Sequence, residues 1–156
     1  MTHDGMWFLH CLQEFGIEST NKINKSAIKS LSSIEISRLM KTLNINDPIH
    51  NYDDFKSFFS KASKLMIPSF MSISFTFPSN NTMEWNFDSG KCFAYNGIKR
   101  LGVIDKYECG VLYRIKCWFE ALNIQSQFMP EIGLCNMHKV GNCNGKIHLS
   151  FNTLNA

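Results

Sequence analysis

The sequence predicts an α+β domain: helices at the N-terminus, then an antiparallel meander sheet with one helix packed between two hairpins. Three observations predict it. Apolar residues recur at helical spacing up to Pro68, the period drops to two immediately after it, and a single helical stretch then separates two alternating segments. The chain of 156 residues is the size of one domain, able to bury roughly two-thirds of the surface its unfolded form exposes. No repeat, low-complexity segment or linker divides it. Within the one domain, residues 1–68 form the expected helical part and residues 69–153 the expected α+β part.

Each element has a local reason. Met6, Trp7, Phe8, Leu9, Leu12 and Phe15 mark a first helix over residues 4–15, and Gly16 is its natural stop. A long or broken second helix follows, with Ile23, Ala27, Leu31, Ile34, Leu39 and Leu43 as its apolar stripe and a lysine-rich face toward solvent. Pro48 and its neighbouring asparagines interrupt the pattern, and Phe55, Phe58, Phe59, Ala62 and Leu65 place a third helix over about 52–66.

SFMSISFTF and TMEWNFD then alternate, with PSNN between them as turn chemistry, so a hairpin is expected there. The segment SGKCFAYNGIKRLGVI fits neither period. A helix over about 105–122 carries Tyr107, Val111, Ile115, Trp118, Phe119 and Leu122, with Asp105 as candidate N-cap. QSQFMPEIGLC and GKIHLSFNTL read as two final strands around a loop rich in cysteine and glycine.

Composition narrows the function classes. The net charge of +3 arises from lysines spread along the chain, which argues against a nucleic-acid partner. No apolar run reaches the length of a membrane span, and the N-terminus lacks a cationic leader, so a cytoplasmic setting is expected. In such a setting Cys11, Cys92, Cys109, Cys117, Cys135 and Cys143 are expected as thiols, ligands or redox groups more than as disulfides.

The stretch CNMHKVGNCNGK draws attention because two cysteines, a histidine and two glycines share one short loop. In a coarse arrangement Cys109 opens the last helix while Cys135 and Cys143 face each other across the loop. Three thiols from two adjacent elements are either a start toward a zinc site, which takes about four soft ligands, or unligated buried cysteines. Cys11, Cys92 and Cys117 read most simply as small buried hydrophobes.

The spacing of Cys109, Cys135 and Cys143, with glycine two positions before the last cysteine, resembles the zinc-binding part of the 4-vinyl reductase superfamily, and among its members the phenol-sensing domains. The likeness spans about residues 70–153. The chain is also similar to a group of small bacterial proteins without assigned activity, through Asp4 to Phe8 (DGMWF), Tyr107 to Gly110 (YECG) and Cys135 to Cys143. The resemblance implies a small ligand-binding or sensor domain, acting alone and often dimeric, with a structural zinc beside an apolar pocket. In the sensors a glutamate precedes the loop's first cysteine by three residues. Ile132 stands there in this chain, so Glu131, His138 and Cys117 are the candidates for a fourth ligand.

The expected partners are an apolar or aromatic small molecule and a second copy. The candidate pocket wall comprises Phe75, Phe77, Trp85, Phe87, Tyr95, Tyr113, Arg114 and Trp118. Two rival readings remain. One is a small cysteine-dependent hydrolase resembling those of thiazoline carboxylates, which needs an exposed thiolate beside a base such as His138. The other is a structural or interaction module that buries its N-terminal helices against another chain. The sequence contains no G-x-S-x-G, H-E-x-x-H, Walker loop or dinucleotide fingerprint.

Overall fold

A computed structural model describes residues 2–79 and 81–151. Asn80 of the expected turn and residues 152–154 of the expected last strand lie outside the described residues. The elements run α1 (Thr2–Thr42), α2 (Tyr52–Met66), β1 (Ile73–Ser79), β2 (Thr82–Phe87), α3 (Phe93–Arg100), α4 (Gly110–Ala121), β3 (Ile124–Met129), α5 (Asn136–Val140) and β4 (Cys143–Phe151). Helices precede and cover a four-stranded antiparallel sheet, as an α+β domain requires.

The strands stand in the order β1-β2-β4-β3. Both expected hairpins form, and the second joins the first through its last strand, with Phe87 opposite Cys143 and Trp85 opposite Gly145. That order departs from a strict meander because β4 inserts between β2 and β3. The consequence is that Cys143, at the start of β4, lies in the middle of the sheet.

Several boundaries differ from expectation for local reasons. Gly16 leaves the helical region at φ 72° and ψ 172°, so it breaks α1, but the chain re-enters a helix at once. α2 begins where Asn51 caps it, its side-chain oxygen accepting from the Asp54 N–H at 2.9 Å. Residues Ser69–Met71 form a single 3-10 turn instead of strand. The expected cap Asp105 sits in another such turn, Ile104–Lys106, and α4 starts later, with Cys109 at its N-cap. The ambiguous segment contains α3.

The core lies between the sheet and the helices α2 and α4. Phe55, Phe58, Phe59 and Ala62 of α2 and Leu112, Ile115, Trp118 and Phe119 of α4 are buried against Met83, Trp85, Phe128, Ile147 and Leu149. Aromatic rings mesh there at angles: Phe55 meets Phe119 with centroids 5.5 Å apart and planes at 71°. Trp85 lies over Gly145, where a side chain would collide with it.

α1 crosses α4 as an outer layer, and its inward face keeps only the C-terminal part of the expected stripe, Leu39 and Leu43. Thr20, Asn21, Ser32 and Glu35 are buried there with Ile36 and Leu39, whereas Ile23, Leu31 and Ile34 are exposed. The reason is polar pairing. The Glu35 carboxylate accepts from Arg114 Nε at 3.0 Å and from Trp118 Nε1 at 2.7 Å, and a second Arg114 nitrogen completes a fork with it. Asn21 donates to the Lys106 carbonyl at 2.9 Å and accepts from the Glu108 N–H at 3.3 Å. Lys25 pairs with Glu108 beside them. Among the described residues no helix is long and apolar enough to cross a membrane.

Candidate metal centre

Four cysteines from four parts of the chain converge under the α3 end of the sheet. Cys92, Cys109 and Cys135 are the N-cap residues of α3, α4 and α5, each in a non-helical backbone conformation. Helix N-termini carry unpaired N–H groups and the positive end of the backbone dipole. The backbone N–H groups of Tyr95 and Ala94 near Cys92, and of Leu112 near Cys109, accordingly favour the ionised form of those thiols, although neither sulfur makes a capping hydrogen bond.

Two pairings bring these caps together. Glu108 and Leu134 form an antiparallel bridge, secured by the Cys109 N–H donating to the Gly133 carbonyl at 2.8 Å. Residues flanking a bridged pair share the opposite face from it, so Cys109 and Cys135 point the same way, as does Tyr107 opposite Cys135. Cys143 arrives from β4 opposite Phe87. All four thiols line one cavity of about 10 Å³, closed by Phe87, Tyr107, Leu112 and Met137, a space of the order of a single water or ion.

Burial favours the neutral form of the Cys92, Cys109 and Cys143 thiols. It pushes the Cys109 thiol up to about 12, offset in part by the Leu112 N–H and reinforced by Cys143, Cys92 and Cys135. The Cys143 thiol is pushed up to about 11, mainly by burial, with the Trp85 indole opposing the rise and Cys92 and Cys135 adding to it. Burial also raises Cys92, against the two nearby backbone N–H groups. Tyr107 is raised by burial and by Cys109. The four groups thus feel one another's charge.

The Trp85 indole N–H is buried without a partner inside hydrogen-bonding limits, yet it favours the ionised form of Cys143. As placed, no group of three or more His, Cys, Asp or Glu side chains among the described residues has the geometry of a metal centre. The four thiols are nonetheless soft groups gathered on one cavity.

The other candidates lie elsewhere. Glu131 and His138 are exposed, and Cys117 is buried in α4 beside Tyr113; none of the three lines the cavity. Cys92 does, and sequence reasoning missed it. All six cysteines are free thiols. Of the eight candidate pocket residues, Phe87 and Tyr95 line the thiol cavity. Phe75 and Phe77 pack on Phe59, and Trp85 on Phe128. Arg114 and Trp118 hold Glu35, and Tyr113 lies under Lys25. They line different parts of the fold instead of one wall.

A nucleophilic thiol would be accessible and ionised at neutral pH. Five of the six thiols are buried and Cys109 is half-buried. In native protein kept reduced at pH 7.5, iodoacetamide is therefore expected to label each cysteine at least tenfold more slowly than in denatured protein, read by peptide mass spectrometry. One thiol labelling faster than the denatured chain would identify a nucleophile. A scan against protein-family models finds no match, and no curated protein is significantly similar to the chain.

Proposed function

We propose that the protein is a small binding or sensor domain, similar to the 4-vinyl reductase superfamily, whose folded state carries a structural zinc held by Cys92, Cys109, Cys135 and Cys143. The observation that carries this reading is that four thiols, at the starts of α3, α4, α5 and β4, line one small cavity. Sulfur ligands favour zinc over magnesium or calcium, and four of them complete its preferred shell. A shell closed by protein leaves no open position for a substrate, so the role is structural.

The surroundings support the same reading. Ligand thiols must lose their protons on binding, and backbone N–H groups at Cys92 and Cys109 with the Trp85 indole at Cys143 stabilise sulfur bearing negative charge. Zinc would supply the opposite charge that the buried cluster lacks. Around it, Tyr107 and Phe87 exclude water, and the bridge between Glu108 and Leu134 fixes the directions of Cys109 and Cys135.

The test is metal content of untagged protein purified under reducing conditions without chelator. About one zinc per chain is expected, retained in Cys117→Ser and falling below about one-fifth in Cys92→Ser and in Cys143→Ser. Chelation should lower Tm by more than about 10 °C, since structural zinc contributes folding free energy outright. Metal-free protein of full stability would overturn the proposal, as would undiminished zinc in Cys92→Ser.

A further inference from the structure

Gly16 divides α1 into two helices that are attached in different ways. From Asn21 to Glu35 the second is tied to α4 and to the segment before it by hydrogen bonds and an ion pair. Among the described residues the first helix, residues 2–15, has one ion pair, His3 with Asp4, and that pair is internal to it. Apolar contact holds this arm in place. Phe8 and Cys11, about one turn apart on one face, make the contact: Phe8 packs against the core with its ring 5.9 Å from that of Tyr107 at 72°, and Cys11 is 7 % exposed. Phe15 continues the same face toward the glycine yet is 57 % exposed. The arm therefore touches the body near its middle and stands clear of it next to Gly16.

What the arm covers is Tyr107. That side chain is 5 % exposed and lines the thiol cavity together with Cys92, Cys109, Cys135 and Cys143. Its hydroxyl accepts from the Gly110 N–H at 3.0 Å, which fixes the ring beside the start of α4. Tyr107 thus has Phe8 on one side and the thiols on the other. Lifting Phe8 opens to solvent the outer side of a ring whose inner side closes the cavity.

The glycine has the properties of a hinge. It holds φ 72° and ψ 172°, a conformation open essentially to glycine alone, and a Cβ placed there would meet no atom within 4 Å. Its carbonyl belongs to the second helix, where it accepts from the buried Thr20 hydroxyl at 2.8 Å. Changes in its φ and ψ therefore swing residues 2–15 and leave the second helix where it is. The alternative conformation is a straight helix through residue 16, which withdraws Phe8 from Tyr107. We propose that residues 2–15 form a lid, hinged at Gly16, that governs access to the four-thiol cavity: closed with Phe8 on Tyr107, open when α1 runs straight. As a control on gain and loss of zinc, the lid rests on the zinc reading of that cavity; as a gate on the thiols it does not.

Two variants of the full chain open the lid by different routes. Phe8→Ala removes the contact, and Gly16→Ala disfavours the bent conformation without a clash while favouring the continuous helix. In protein as purified, iodoacetamide should label Cys11 about fivefold faster in each variant than in the wild type, because local opening sets its exposure. Cys117, beside Tyr113 on α4, should keep its rate, and Phe15→Ala should behave as the wild type. In metal-free protein Cys109 should label faster in both variants by a similar factor, and in zinc-loaded protein the metal should pass about fivefold faster to a chromophoric chelator. Unchanged labelling of Cys11 and Cys109 in both variants would overturn the lid, as would an equal rise at Cys117, which reports loosening of the whole fold. Unchanged zinc transfer beside faster labelling would overturn its control of the metal. A wild type that takes up no zinc would overturn the zinc reading instead, and the labelling rates alone would then decide the lid.

Discussion

Replacing Gly145 by alanine is expected to destabilise the protein by about 3 kcal/mol or more, at the upper end of what overpacking a tight core costs. The usual sign of such a change in a strand is the opposite, because alanine loses less backbone entropy on folding than glycine. Here an added Cβ would stand 2.3 Å from the Trp85 ring and 2.4 Å from the Met129 carbonyl oxygen. Neither can yield cheaply. The carbonyl belongs to the end of β3, and the ring is 1 % exposed and packed on Phe128. The measurement is the urea midpoint at constant m-value. In a Trp85→Leu background the same alanine should cost at least 1 kcal/mol less, because the ring no longer occupies its place. A neutral Gly145→Ala would mean that Trp85 does not lie where described.

Glu35→Ala is expected to cost about 3 kcal/mol, the lower end of what breaking a buried charge pair costs. The lower end applies because Arg114 is about one-third exposed and can rehydrate once its partner is gone. Trp118 cannot, and its buried indole N–H is left unpaired. Glu35→Gln keeps an acceptor for the indole while removing the charge, so it should cost about half as much. Arg114→Leu alone strands the carboxylate of Glu35, whereas Glu35→Leu with Arg114→Leu should recover at least 1 kcal/mol relative to the sum of the single variants. Chemical denaturation of the four proteins closes that cycle, and strict additivity would show that the fork contributes nothing.

Where the hydrophobic period was strong and the segment isolated, the fold was legible without coordinates. Phe55, Phe58, Phe59 and Ala62 announced α2, and the alternation from Thr82 to Phe87 announced β2. α4 was legible but not its start. Asp105 has the residue type of a cap, yet the polypeptide first makes a 3-10 turn and a bridge to Leu134, and Cys109 takes the position. α3 escaped because it is only 8 residues long and contains Gly97.

Of the expected stripe on α1, Leu39 and Leu43 do meet the core, whereas Ile23, Leu31 and Ile34 were assigned to the wrong surface. Apolar spacing identifies a face but not what it meets, and Arg114 and Trp118 on α4 selected the face carrying Glu35. Three of the four cavity thiols were legible from spacing around one loop. Cys92 was not, because it lies 17 residues before Cys109 in a segment without a period, and only the start of a short helix just after it could have drawn notice.

The polar seam between α1 and α4 also shapes how the molecule opens. Between Thr20 and Glu35, directional bonds hold α1 to α4 through Glu35 and to the segment just before α4 through Asn21 and Lys25. Such a seam has one correct alignment, since a slip of one turn would separate every donor from its acceptor. It also releases little apolar surface when it parts, so this stretch of α1 can detach as a unit while α2, α4 and the sheet keep their aromatic core. Backbone amides in that stretch then exchange with solvent through a smaller opening than those of α4, and the first cooperative boundary of the fold runs along the helix crossing instead of through the sheet.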